Sequence, residues 1–262
     1  MIKIHIDITL EADKPITLPL HYNYVVQSAI YNSINPSLAE YLHNTGYCVN
    51  KRSFKFFSFS RLNSSAYNIN SQEKTITFIP PVNLVISSPI EEFCESLVNT
   101  LVTVRHMEFL NNQTSINHIQ LRKATVNRNT IEIKTLSPIV VYSTFLKPDG
   151  RKYTHYFHPR EQGYQNLILN NLINKYKALY NQELVVSDFK INPLGRVRMS
   201  IIEYKGFIIK GYSGIFTVSG PRELLQLMID SGIGSKNSQG FGCIDFISKG
   251  RGGEKGEYAC YS

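Results

Sequence analysis

One glycine-rich segment near the C-terminus limits the folds available to this chain. Residues 232–242 hold four glycines around a single lysine, Lys236. Proline at 221 and the apolar spacing after it predict a helix over 221–229, and an apolar run predicts a strand over 243–247. Glycine loops that bind nucleotides run instead from a strand into a helix, whose N-terminus faces the phosphate. The reversed order therefore argues against a nucleotide site.

Two interpretations of this segment stay open. In one, Gly232 ends the helix and a bulged turn follows. In the other, a backbone poor in side chains exposes its N–H groups and a lysine to a polymer. The spacing of the four glycines favours the second. The residues expected to contact the polymer are Gly232, Gly234, Lys236, Asn237, Ser238, Gly240 and Gly242.

Composition indicates a folded protein with an acidic partner. The 262 residues suit one large domain or two of half that size, and 42% hydrophobic with 18% charged residues can build real cores. A net charge of +8 favours an acidic polymer as partner.

Other features of the sequence predict a cytoplasmic location. No apolar run is long enough to span a membrane, and residues 1–7 alternate like a strand, not like a signal peptide. Four scattered cysteines without paired spacing are typical of reduced thiols.

The positive charge is unevenly distributed. No acidic residue lies between Glu40 and Glu73, although several basic residues do. Each basic residue could be a solvated surface charge or a contact to phosphate. The candidates for phosphate contact are Lys51, Arg52, Arg61, Arg196 and Arg198.

The order of predicted elements indicates an α+β fold. Each half approximates strand, helix, paired strands, helix, strand, which is the split βαβ pattern of a ferredoxin-like (RRM-like) fold. We therefore expect two tandem ferredoxin-like domains, 1–123 and 124–262, with the glycine-rich segment in the second. Strands are predicted over 54–59 and 75–79, the latter stopped by Pro80 and Pro81.

Three residues of the first half have side chains suited to proton transfer and charge stabilisation. Tyr31 lies on a predicted helix over 21–34, and His43 lies in the last turn of a second helix that begins at Asn35-Pro36. Lys55 alternates with Phe54 and Phe56 and should point away from them. A histidine, a tyrosine and a lysine can cleave RNA without a metal, as base, acid and cation. Each could equally be an ordinary capping or surface residue.

Metal ligands and cofactor motifs are poorly represented. His155 and His158 have no acidic residue or cysteine beside them at ligand spacing. We therefore expect no metal and no cofactor.

Several separate motifs resemble one family. The segment ending Gly240-Phe241-Gly242 is similar to the signature of the CRISPR-associated RAMP proteins. Residues 18–31 (LPLHYNYVVQSAIY), 38–43 (LAEYLH), 54–60 (FKFFSFS) and 135–139 (TLSPI) resemble the Cas6 branch of that superfamily, whose members cut CRISPR repeat transcripts into guide RNAs. The resemblance spans nearly the whole chain.

The resemblance implies two ferredoxin-like domains and cleavage within the repeat, without a metal, to a 2′,3′-cyclic phosphate and a 5′-hydroxyl. It implies His43 as base, Tyr31 as acid and Lys55 as charge stabiliser, with Lys51 and Arg52 close enough to be alternatives for the last role. It also implies that the glycine-rich segment and Lys236 contact RNA or brace the site.

The partner implied is CRISPR repeat RNA, as precursor and product, and other subunits of CRISPR effector complexes are further candidates. We expect a monomer or homodimer away from membranes. The alternative to a nuclease is a non-catalytic subunit that binds repeat RNA.

Overall fold

A computed structural model describes residues 4–247 and 258–261 of the chain. Within them the protein is a mixed α+β structure. The elements of the first half are β1 (Ile4–Glu11), β2 (Ile16–Pro19), α1 (Asn23–Asn32), α2 (Pro36–Asn44), β3 (Tyr47–Val49), β4 (Arg52–Phe54), β5 (Ser58–Phe59), β6 (Asn63–Asn70), β7 (Thr75–Ser88), α3 (Glu91–Val104), β8 (His106–Phe109) and β9 (Asn112–Lys123).

The second half continues the same alternation of strands and helices. Its elements are β10 (Thr130–Thr135), β11 (Tyr142–Leu146), β12 (Lys152–Tyr156), α4 (Tyr164–Tyr180), β13 (Lys190–Tyr204), β14 (Phe207–Ser219), α5 (Arg222–Ser231), β15 (Ile244–Phe246) and β16 (Tyr258–Tyr261). No helix among the described residues is both long and apolar enough to cross a membrane.

Each half is built around one antiparallel sheet. In the first sheet the path β16-β9-β1-β7-β2 is continuous, β5 and β6 also pair with β7, and β8 pairs with β9. In the second sheet the order is β13-β14-β10-β15. The hairpins β3–β4 and β11–β12 stand apart from these sheets.

Two main cores follow from this arrangement. Apolar side chains of β1 and β7, such as Ile6 and Leu84, are fully buried with the apolar residues of α1 to α3. A second core joins β10 and β14 with α4 and α5. Helix α5 is buried from Leu224 to Ser231, and its Leu227 packs in the first core. A helix buried on all sides fixes the two halves against each other.

The boundary at residue 123 stays a prediction. The first core takes its buried residues from positions before 120, apart from Leu227, and the second takes them from 124 onward. Strand β16, near the C-terminus, pairs with β9 of the first sheet.

The prediction that Pro80 and Pro81 end a strand is wrong. Strand β7 runs through both prolines, which are joined by a cis peptide bond. The pairing of β6 with β7 shifts register between Ser64 and Ala66, opposite the prolines. Proline is tolerated at such an irregularity because no regular ladder hydrogen bond is lost there.

The prediction of one strand over 54–59 is also wrong. Strand β4 ends at Phe54 and β5 begins at Ser58. Between them Phe56 has φ of +53°, a left-handed backbone conformation that interrupts a strand. The simple alternation of Lys55 with its neighbours therefore does not apply, and its direction is set by the turn.

Candidate active site

Helices α1 and α2 bring Tyr31 next to His43. The side chain of Asn35 accepts a hydrogen bond from the Ser37 amide (2.9 Å), and Pro36 begins α2 directly after it. This cap allows α2 to fold back on α1 after only a few residues. The rings of Tyr31 and His43 meet edge to face, with centroids 6.0 Å apart.

The two side chains differ in exposure. His43 is exposed, and its Nδ1 lies 3.0 Å from Oδ1 of Asn44. Tyr31 is half-buried and also packs edge to face on Phe57, 5.5 Å between centroids. Burial raises the pKa of Tyr31 to about 12, with a smaller contribution from Tyr204. Tyr31 therefore keeps its proton at neutral pH.

Lys55 lies at the same end of α2 as His43. Its Nζ donates hydrogen bonds to the carbonyl oxygens of His43 (3.1 Å) and Thr45 (3.3 Å), which belong to the C-terminal end of α2. These carbonyls have no partner within the helix and attract a cation. Burial lowers the pKa of Lys55. Lys51 and Arg52 lie exposed at the β3–β4 turn.

The second half of the chain also contributes a side chain, Tyr204, to the surroundings of Tyr31. Tyr204 of β13 donates a hydrogen bond from its hydroxyl to the side chain of Gln27, 177 residues earlier and one turn before Tyr31 on α1. Sequence reasoning missed both residues. No local pattern joins positions so far apart in the chain, so only the tertiary structure could identify them.

The glycine-rich segment is buried, and the prediction that its backbone N–H groups are exposed is wrong. Gly232, Gly234, Gly240 and Gly242 are all buried, while Lys236, Asn237 and Ser238 are half-buried. Several amides donate within the protein, among them Ile233 to Gly242 (2.8 Å), Ser235 to Val140 (2.8 Å) and Gly242 to Pro138 (2.8 Å). The segment follows the buried part of α5, Leu224 to Ser231, and its glycines lie in close contact with neighbouring atoms. That these glycines contact RNA stays a prediction.

Side chains from both halves hold the segment in place. Nδ2 of Asn23, at the start of α1, donates to the carbonyl oxygens of Gln239 (2.8 Å) and Gly240 (3.2 Å). Nδ2 of Asn237 donates to those of Ile233 (3.1 Å) and Phe241 (3.0 Å) and so closes the loop on itself.

Lys175 of α4 makes several hydrogen bonds to the glycine-rich segment and the end of α5. Its Nζ donates to the carbonyl oxygens of Gly232 (2.7 Å) and Ser231 (3.3 Å), to Oγ of Ser231 (3.2 Å) and to Oδ1 of Asn237 (2.8 Å). The side chain is 2% exposed. Burial lowers the pKa of Lys175 to about 7.

The remaining basic candidates are three exposed arginines and the half-buried Lys236. Arg196 and Arg198 are exposed on β13, and Arg61 is exposed after β5. Nζ of Lys236 lies 5.5 Å from the centroid of the Tyr142 ring, a cation–π contact. The structure thus gathers Tyr31, His43 and Lys55 at the C-terminal end of α2. Within the described residues, no group of three or more His, Cys, Asp or Glu side chains could hold a metal ion.

Comparison with known proteins assigns the family. The model described as CRISPR-associated protein Cas6, N-terminal, matches residues 17–120, and that described as CRISPR associated protein Cas6, C-terminal, matches residues 119–246. This chain belongs to the Cas6 family.

Individual relatives and a solved structure carry the same family name. The chain is 30% identical to the CRISPR-associated endoribonuclease Cas6 1 of Methanocaldococcus jannaschii over 92% of both chains. It is 26% identical to the CRISPR-associated endoribonuclease Cas6 of Pyrococcus furiosus, over 89% of this chain and 85% of the relative. A solved structure titled "CRISPR associated protein Cas6" superposes with a TM-score of 0.76 at 28% identity, covering 94% of this chain and 100% of that one.

The first prediction concerns the packing of the glycine-rich segment. A Cβ at Gly242, where φ is +69°, would overlap the carbonyl oxygen of Ile233. We expect Gly242→Ala to lower the free energy of unfolding by roughly 3 kcal/mol or more. Gly206→Ala is the matched control, because Gly206 has φ of +82° but open space around it. It should cost only the backbone strain of about 1–2 kcal/mol. Equal losses in urea unfolding would contradict the packed arrangement.

The second prediction concerns pH. Between pH 7 and the ordinary lysine value of 10.5, folding releases the Lys175 proton that the unfolded chain keeps. The free energy of unfolding should therefore rise with pH in this window, by at most about 1.4 kcal/mol per pH unit. Lys175→Met removes this contribution, so the wild-type value minus the variant value should grow from pH 7 to pH 9 in urea unfolding. A difference that is constant with pH would contradict the burial of this amine.

Proposed function

We propose that this protein is an endoribonuclease that cleaves CRISPR repeat RNA within each repeat, without a metal ion. The observation that carries the proposal is the convergence of Tyr31, His43 and Lys55 at the end of α2. Family membership and relatives named endoribonucleases support the same activity. The products would be a 2′,3′-cyclic phosphate and a 5′-hydroxyl.

Each side chain has a role that fits its surroundings. His43, exposed beside Tyr31, takes the proton of the ribose 2′-hydroxyl, whose oxygen then attacks the adjacent phosphorus. Tyr31 gives its proton to the departing 5′-oxygen, and its raised pKa keeps that proton available. Lys55 stabilises the charge on the phosphorane. An ammonium has three N–H donors, and two hold the carbonyls of α2, so one is left for a phosphate oxygen.

The architecture we propose is two ferredoxin-like domains, 1–123 and 124–262. The strand order supports it. In the first half β1 lies between β7 and β9, which flank α3 in the chain, and in the second half β10 lies between β14 and β15, which flank α5. The glycine-rich segment braces the site in this proposal by fixing α1, through Asn23, against the second half.

The RNA contacts we propose are electrostatic. Lys51, Arg52, Arg61, Arg196, Arg198 and Lys236 would bind phosphates, which predicts an affinity that falls with salt. The protein would act in the cytoplasm as a monomer or homodimer and could pass its product to other CRISPR subunits.

The third prediction tests the reaction itself. The protein incubated with its cognate repeat RNA in excess EDTA should still cut, and RNA with a single 2′-deoxy substitution at the scissile nucleotide should bind but stay intact. Dependence on added magnesium, or cutting of the deoxy substrate, would contradict the proposed chemistry. Tight binding with no product over hours would favour the non-catalytic subunit instead.

The fourth prediction tests the roles of the side chains in single-turnover cleavage. His43→Ala should lower the rate about 10²-fold or more, because the base is lost. His106→Ala is its control, since His106 is an exposed histidine elsewhere on the first sheet. Lys55→Met should also slow cleavage strongly, whereas Lys51→Met should affect mainly binding. The reverse result for the two lysines would assign charge stabilisation to Lys51.

A further inference from the structure

A groove lies on the second half between two hairpins. The β11–β12 hairpin lies against the β13–β14 hairpin, and together they enclose a pocket of about 590 Å³. The Tyr156 hydroxyl donates to the carbonyl oxygen of Ile208 (3.0 Å) and joins the hairpins. The volume is within the range of about 300–1,000 Å³ typical of ligand sites.

Aromatic side chains form much of the lining. Tyr142 and Tyr156 stand 5.9 Å apart between ring centroids at the inner part. Tyr153 and Phe207 line the pocket as well, and they are 48% and 74% exposed. Large aromatic side chains gathered in one open groove are typical of a binding surface.

Lysine side chains lie over two of these rings. Nζ of Lys147 lies 5.8 Å from the centroid of the Tyr153 ring, and Lys236 lies over Tyr142 at 5.5 Å. Lys210 lines the same pocket. Of the nearby acids, Asp149 and Glu161 are paired with Arg151 and His155, while Glu203 is exposed opposite Ile208 of the lining. The groove therefore combines flat aromatic surface with positive charge.

The groove is connected with the candidate active site. Tyr142 and Tyr156 pack against a small buried cluster that contains Tyr204, and Tyr204 holds Gln27 beside Tyr31. Lys236 belongs to the glycine-rich segment that is fixed to α1 through Asn23. A polymer bound at Tyr31 and His43 would thus have its flanking part near the groove.

We propose that this groove binds unpaired nucleobases of the RNA that flank the scissile phosphate, by stacking on Tyr153 and Phe207. The proposal rests on the proposed function for the identity of the RNA. Aromatic rings stack on nucleobases of any sequence, and neighbouring lysines bind the phosphates between them. A purely apolar protein partner would use the rings but would leave the lysines without a role.

The fifth prediction is a binding experiment in the uncleaving His43→Ala background. With cognate repeat RNA, Tyr153→Ala and Phe207→Ala should each raise Kd roughly tenfold. Their salt dependence should be unchanged, because stacking releases no counterions, whereas Lys147→Met should reduce the salt slope. Tyr153→Phe should restore binding. Tyr67→Ala, at an exposed tyrosine of β6 in the other half, is the matched control and should bind normally.

A second readout keeps this result separate from catalysis. A 2-aminopurine base placed at each unpaired position near the cleavage point should lose fluorescence on binding, and Tyr153→Ala with Phe207→Ala should restore it. Unchanged Kd and unchanged quenching in the double variant would overturn the groove proposal, even if the wild type cuts the RNA. Loss of binding to a protein subunit with normal RNA binding would likewise overturn it. A wild type that does not cut would refute only the nuclease, because neither readout needs cleavage.

Discussion

The buried amine of Lys175 makes the interaction on which the arrangement of this protein depends. It joins α4 to the end of α5 and to Asn237, and so fixes the glycine-rich segment. A buried amine is costly unless its donors are satisfied, and here backbone and side-chain oxygens surround it. From the other side, Asn23 ties the same segment to α1. The helix that carries Tyr31 is therefore positioned by a loop from the second half.

This arrangement explains why the candidate site lies where the halves meet. Tyr204 approaches Gln27 and Tyr31 only because β13 is held against α1. His43 and Tyr31 therefore lie in different surroundings, as a base and an acid in the same site require. His43 stays open to a substrate, while Tyr31 is covered enough to retain its proton at neutral pH. Lys55 binds the end of α2 and thereby keeps its cation beside the backbone of His43.

Features set by local sequence could be predicted, and features set by distant partners could not. The cap at Asn35-Pro36 is local, so the start of α2 could be predicted, whereas the contact between Tyr31 and His43 depends on how α2 packs on α1. The path of β7 through its prolines likewise depends on the irregular pairing with β6. The burial of the glycine-rich segment depends on a lysine of α4, for which no sequence pattern exists. Exposed glycines and buried glycines look the same in a sequence.

Amide hydrogen exchange of the free protein tests the buried brace most directly. The amides of Ile233, Ser235 and Gly242 donate inside the protein, so we predict that they exchange as slowly as those of α5, and much more slowly than the exposed turn at Gly206. Lys175→Met should accelerate them selectively. Exchange in the wild type as fast as at Gly206 would mean that the segment is an open loop, and the site would then lack the support described here.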